Sequence, residues 1–79
     1  MVTVTLYTRT GCHLCEEAKK VLQEARAEIE FELEEVDIDQ FPELVARYND
    51  EVPVIFINGR KAFKYRVDRR DLLRRLKDW

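Results

Sequence analysis

Residues 2–15 read VTVTLYTRTGCHLC, and the way this stretch changes character decides the fold. Val2, Val4 and Leu6 alternate with Thr3, Thr5 and Tyr7, the β-branched, period-two pattern of a strand. Thr10 and Gly11 break it. From Cys15 onward the apolar positions are Cys15, Ala18, Leu22 and Ala25 with Val21 beside them, and Glu16 precedes Lys20 by one turn, which is helical spacing. A strand over 2–8 therefore feeds a helix over about 12–27, with the two cysteines at the junction.

Downstream, Phe31, Leu33, Val36 and Ile38 mark a second strand over 30–38. Their parity slips between Leu33 and Val36, which predicts a bulge or an early strand end. Phe41, Leu44, Val45 and Tyr48 return to helical spacing, and Pro42 suits a first helical turn because its missing N–H costs nothing there. Val54–Ile57 is a short buried-strand run, followed by Asn58-Gly59. That dipeptide suits a two-residue hairpin, whose positions need positive φ, so residues 60–65 should pair back antiparallel. Asp68 is placed to cap a last helix, with Val67 and Leu72 as a hydrophobic staple and Leu72, Leu73 and Leu76 as its buried stripe. The order βαβαββα requires a right-handed parallel crossover followed by a hairpin and helix, hence an α/β fold with a four-stranded mixed sheet and three helices.

With 79 residues and no repeat or Gly/Ser-rich linker, residues 1–79 read as one domain. The chain lacks a basic segment followed by a long apolar run at its start, and no stretch approaches the roughly 20 apolar residues of a membrane span. The expectation is a cytoplasmic monomer that does not engage a membrane. The formal charge of −2 hides a segregation: residues 16–51 carry thirteen acids against four bases, and residues 60–77 carry nine bases against Asp68 and Asp71. The basic third reads as a solvated helix face, and without interleaved aromatics it does not predict nucleic-acid binding. Tyr7 reads either as flanking the cysteines or as ordinary sheet packing, and Phe63, Tyr65 and Trp79 read as core and edge packing.

Cys12 and Cys15 are three apart, too close for their pairing to remove much entropy from the unfolded chain, so their role is chemical. A cysteine attacks as thiolate, and thiolates are favoured at helix N-termini and beside cations. Cys12 lies at the start of the helix, where free N–H groups and the dipole favour an anion, with Arg9 and His13 nearby as sources of positive charge. Cys15 falls one turn on and deeper, so Cys12 is the attacker and Cys15 the resolving thiol. Two other readings stand beside this one. Cys12, His13 and Cys15 supply three zinc-type donors without a fourth, so no metal site is expected within one chain, but an iron-sulfur cluster or metal held through Cys12 with another molecule remains open. A redox-inert binding domain of the same fold is the other. A Cys-x-x-Cys within a βαβ pattern favours the redox reading.

The strand, YTRTGCHLC, the helix, and later EVPV before NG resemble the glutaredoxin branch of the thioredoxin-like superfamily over nearly the whole chain. The likeness is greatest to small bacterial glutaredoxin-like proteins with a Gly-Cys-His-Leu-Cys site. The resemblance implies a thioredoxin-like fold with sheet order 2-1-3-4, and thiol-disulfide oxidoreductase activity with Cys12 as nucleophile and Cys15 resolving. It further implies Arg9 in the place of a thiolate-stabilising base, and a cis-Pro53 that, with Val52, lies at the substrate-binding edge. No bound cofactor is required. Expected partners are protein or small disulfides, with a thioredoxin reductase or the glutathione system as electron source. Glutathione as co-substrate is expected to be handled less well than in typical glutaredoxins, because KYRVDRR stands where those carry a Gly-Gly pair. His13-Leu14 likewise replaces their usual Pro-Tyr between the cysteines.

Overall fold

The computed structural model describes residues 2–78. Four strands form one sheet in the order β2-β1-β3-β4: β1 (Thr3–Thr8), β2 (Glu32–Asp37), β3 (Val54–Ile57) and β4 (Arg60–Lys64). Among the described residues there are three α-helices, α1 (His13–Arg26), α2 (Pro42–Tyr48) and α3 (Arg69–Lys77), with a 3-10 turn at Ile38–Gln40. β1 pairs parallel to β2 and antiparallel to β3, and β3 pairs antiparallel to β4. The expected order of elements and the sheet order 2-1-3-4 both hold.

The two faces of the sheet are covered by different helices, and strand parity decides which residue goes where. Val4, Leu6, Ile55 and Ile57 point to the face covered by α1 and α3, where they meet Ala18, Leu22, Ala25, Leu72 and Leu76. Tyr7, Val54 and Phe56 point to the opposite face, where α2 brings Leu44, Val45 and Tyr48. Tyr7 stacks on Tyr48 with centroids 5.1 Å apart and meets Phe56 edge-on at 5.4 Å. It is therefore packed in the sheet rather than presented beside the cysteines. Phe63 packs against the first face under Arg75, whereas Trp79 lies outside the described residues.

Of the bulge or early end expected in β2, the bulge is absent, and the strand ends at Asp37, one residue short of the expected bound. Its six residues pair without interruption, Leu33 opposite Val4 and Val36 opposite Tyr7. The parity slip instead records a change of covered face: Leu33 joins the α1/α3 side with buried Phe31, while Val36 shares the side of Tyr7. The strand stops at Asp37, whose carboxylate accepts from the Asp39 N–H, and Ile38 is buried on the α2 side from the 3-10 turn. A register shift occurs in the hairpin, where Ile55 pairs with Phe63 but Phe56 pairs with Lys61, leaving Ala62 as the extra residue.

Local signals behave as their chemistry requires. Asn58 and Gly59 take φ of 48° and 82°, the positive pair that a tight hairpin needs. The Asn58 carboxamide also accepts from the Thr3 N–H at 3.0 Å, tying the turn to β1. Pro42 opens α2. Asp68 caps α3 by accepting from the Asp71 N–H at 3.2 Å, and Val67 packs on the cluster that contains Leu72. Past β4 the chain departs from expectation: Tyr65 is unpaired with β3, has φ of 69°, and donates its N–H to the Pro53 carbonyl at 2.8 Å. A non-glycine residue in the left-handed region costs on the order of 1 kcal/mol or more.

Candidate active site

The chain leaves β1 at its C-terminal end and must reverse into α1 within four residues. Gly11 makes this possible with φ of 77°. A Cβ there would meet nothing within 4 Å, so the requirement for glycine is conformational and not one of space. Cys12 follows in extended conformation as the N-cap of α1. Its sulfur accepts from the Cys15 N–H at 3.2 Å. In place of the usual Ser, Thr, Asp or Asn oxygen, a cysteine sulfur satisfies one of the free donors of the helix.

Cys12 and Cys15 are bonded as a disulfide with Cα atoms 5.2 Å apart. The two differ sharply in access: Cys12 is half-buried, whereas Cys15 is 1% exposed on the inner face of α1 with Ala18, Leu22 and Ala25. A disulfide sulfur at the Cys12 position stands in for the thiolate of the reduced protein, and what holds it is a backbone donor at the positive end of a helix. His13 is exposed on the first turn.

Arg9 lies in the loop between β1 and Cys12. Its guanidinium donates to the Asp39 carboxylate at 2.8 Å and to the side-chain oxygen of Asn49. It thus ties the loop before Cys12 to the 3-10 turn and to the end of α2. A group shared between two acceptors is a clamp first. The Arg9 carbonyl still faces the site, accepting from the Cys12 N–H at 3.4 Å. Asp39 and Asn49 carried no sequence signal, because they lie 30 and 40 residues from Arg9.

The Val52–Pro53 bond is cis, as the resemblance implies. The pairing of Tyr7 with Val54 sets Pro53 across from the end of β1, from which the chain runs to Cys12. Pro53 is buried and Val52 half-buried against the α2-side cluster. Just before them Glu51 is held by Lys61 at 2.8 Å, with Lys64 at 3.8 Å. The hydrogen bond from Lys61 holds the Glu51 carboxyl below its ordinary range. On the other side, Lys19 of α1 meets Glu35 of β2 at 2.7 Å, and that bond holds its ammonium above the ordinary lysine value. The Glu51 clamp is a second feature the sequence reading missed. Among the described residues no three His, Cys, Asp or Glu side chains gather in a metal-binding arrangement, and no helix is long and apolar enough to cross a membrane.

A βαβ unit and a hairpin with a terminal helix, carrying a Cys-x-x-Cys disulfide at the start of α1 and a cis-proline just before β3, define a thioredoxin-like fold with a redox-type cysteine pair. Residues 3–77 match the family described as glutaredoxin-like domain (DUF836), and the chain belongs to that family. It is 33% identical over 73 residues to a glutaredoxin-like protein of Dictyostelium discoideum, covering 85% of this chain and 68% of that one. The X-ray structure of target protein XcR50 from X. campestris is 34% identical and superposes with a TM-score of 0.79, covering 96% of this chain and 97% of that one. A mutant thioredoxin from Halobacterium salinarum reaches a TM-score of 0.71 at 18% identity, over 99% of this chain and 74% of its own, a likeness of fold alone.

Proposed function

We propose that the protein is a dithiol-disulfide oxidoreductase in which Cys12 attacks and Cys15 resolves. The observation that carries the reading is the asymmetry of the pair: Cys12 is only partly buried and its sulfur accepts the Cys15 N–H at the head of α1, while Cys15 is 1% exposed. In the reduced protein the same N–H and the helix dipole favour Cys12 as thiolate. That thiolate attacks one sulfur of a substrate disulfide; the substrate S–S bond breaks, and the departing sulfur leaves as thiolate and takes up a proton. Cys15, having lost its proton to solvent, then attacks the Cys12 sulfur. The mixed disulfide breaks, the second substrate thiol departs, and the Cys12–Cys15 bond carries the two electrons' worth of oxidation.

Regeneration takes two electrons from an external thiol system, either a thioredoxin-type reductase or glutathione, and no bound cofactor. The protein acts on protein or small disulfides as a cytoplasmic monomer. The backbone at Val52–Pro53 supplies an edge against which an extended substrate segment pairs. His13, when protonated, adds positive charge beside the thiolate, and Arg9, paired with Asp39, positions the loop that carries it. Glutathione is a poorer partner than in Gly-Gly-bearing glutaredoxins, since Tyr65, Arg66 and Val67 stand at the approach to α3 and Asp68 is engaged in capping its own helix.

The test is mixed-disulfide trapping. Cys15→Ser should accumulate a covalent adduct with a disulfide substrate through Cys12, and Cys12→Ser should form none. Equal adduct formation by both variants would overturn the assignment of roles.

A further inference from the structure

A groove of about 500 Å³ lies between α1 and the segment joining β4 to α3. Its floor and walls include Leu14, Ala18 and Val21 from α1, faced by Tyr65 and Val67. Leu14 is two residues past Cys12 in the first turn of α1, so the groove begins at the turn that carries the cysteines and runs along α1 for nearly two turns. Lys20 and Arg66 stand at its rim, and neither is in an ion pair among the described residues. Of the two carboxylates there, Asp68 is turned to the Asp71 N–H, leaving Glu17 alone against two cations.

Tyr65 is the feature that ordinary packing does not explain. Its φ of 69° lies where glycine or asparagine is favoured, yet the position holds a bulky ring that is 41% exposed. Its amide is anchored on the Pro53 carbonyl and its ring lies 5.3 Å from the Lys64 ammonium. Strain retained at an exposed aromatic in a groove wall is the signature of a residue kept for what it touches. The groove and Pro53 are joined through that one hydrogen bond, so a chain lying along Pro53 reaches the Tyr65 ring next.

Resting on the oxidoreductase reading above, we propose that Tyr65 is a specificity-determining residue: it closes an apolar groove that accepts a side chain of a disulfide-bearing polypeptide. The occupant is an extended segment with an apolar side chain next to its cysteine, seated between Leu14, Val21 and Tyr65. A carboxylate one or two residues beyond it meets Lys20 and Arg66. The substrate class is thus a protein disulfide flanked by apolar and acidic residues.

The experiment uses the pre-reduced full chain in single turnover, with acid quench and chromatography of the released thiol. One probe is the disulfide dimer of acetyl-Asp-Ala-Leu-Cys-amide, and the other is bis(2-hydroxyethyl) disulfide. The readout is the ratio of the two second-order rates, which loss of folded protein leaves unchanged because it lowers both alike. Tyr65→Gly, which relieves the φ, should lower the ratio about fivefold, and Leu→Ser in the peptide should do the same to the unaltered protein. In Tyr65→Gly the Leu→Ser change should then cost little. Arg66→Glu should lower the ratio for this peptide and raise it for one with Lys in place of Asp. A ratio unmoved by Tyr65→Gly, or an equal Leu→Ser cost with and without the ring, overturns the proposal. Absence of exchange with either probe in the unaltered protein overturns the oxidoreductase reading, and this inference with it.

Discussion

The Cys15 N–H donates to the Cys12 sulfur across 3.2 Å, so one cysteine caps the helix that buries the other. Capping, thiolate stabilisation and resolution are thereby properties of one helical turn. Among the described residues, the hydrogen bond that the Cys12 sulfur accepts comes from backbone.

From this follows a difference in reactivity between the thiols. In the reduced protein, Cys12 should be alkylated faster than Cys15 throughout, with its rate inflecting below the ordinary thiol value of about 8.5. Rates of iodoacetamide labelling against pH, resolved by peptide mapping, provide the check. An inflection near 8.5 for Cys12 would remove the helix N-terminus from the argument.

Gly11 is constrained by its φ of 77° with open space where a side chain would go. Gly11→Ala should therefore destabilise the protein by about 1–2 kcal/mol, the cost of a left-handed alanine, with no contribution from contacts to the rest of the chain. Urea unfolding of the oxidised forms measures it. A loss much larger than this would mean that the loop is packed more closely than the geometry indicates.

The Arg9 and Asp39 side chains are 33% and 40% exposed, so their coupling is that of a surface bridge. A double-mutant cycle with Arg9→Ala and Asp39→Ala should give about 0.5–1 kcal/mol. Arg9→Ala alone should cost more than Asp39→Ala, because it also releases Asn49. If Arg9 acts mainly as a clamp, Asp39→Ala should leave the pH dependence of Cys12 labelling in place.

Glu51 titrates lower in the folded chain than in the unfolded one, owing to its hydrogen bond with Lys61. Its contribution to stability is full above the ordinary carboxylate pKa and is lost as pH falls through the lowered value. Glu51→Gln should thus lower the urea midpoint slightly at neutral pH, as suits an exposed pair, and leave it unchanged at low pH, so that the fall below about pH 4.5 is shallower by the same small amount. An unchanged acid limb in the variant would refute the clamp. Lys19, raised by Glu35, has the opposite sign: its contribution is present at neutral pH and is lost as pH rises through its elevated value.

What the sequence determined by itself was everything whose physics is contained within a turn or a period. The alternation in β1, the helical stripe from Cys15 to Ala25, Pro42 at the head of α2, the Asn58-Gly59 turn and the Asp68 cap each depend on residues at most a few positions apart. The placement of Cys12 at a helix start belongs to the same group, which is why the candidate chemistry could be read before the fold was seen. Tertiary structure decided whatever depended on partners far along the chain. The parity slip in β2 resolved into two covered faces only once Leu33 was set against Val4 and Val36 against Tyr7. Arg9 became a clamp only when Asp39 and Asn49 were brought to it. Tyr65 became a groove wall only because its amide found the Pro53 carbonyl, twelve residues back. Periodicity and capping report how a segment folds; they carry no information about which distant group will compete for a side chain that more than one partner can satisfy.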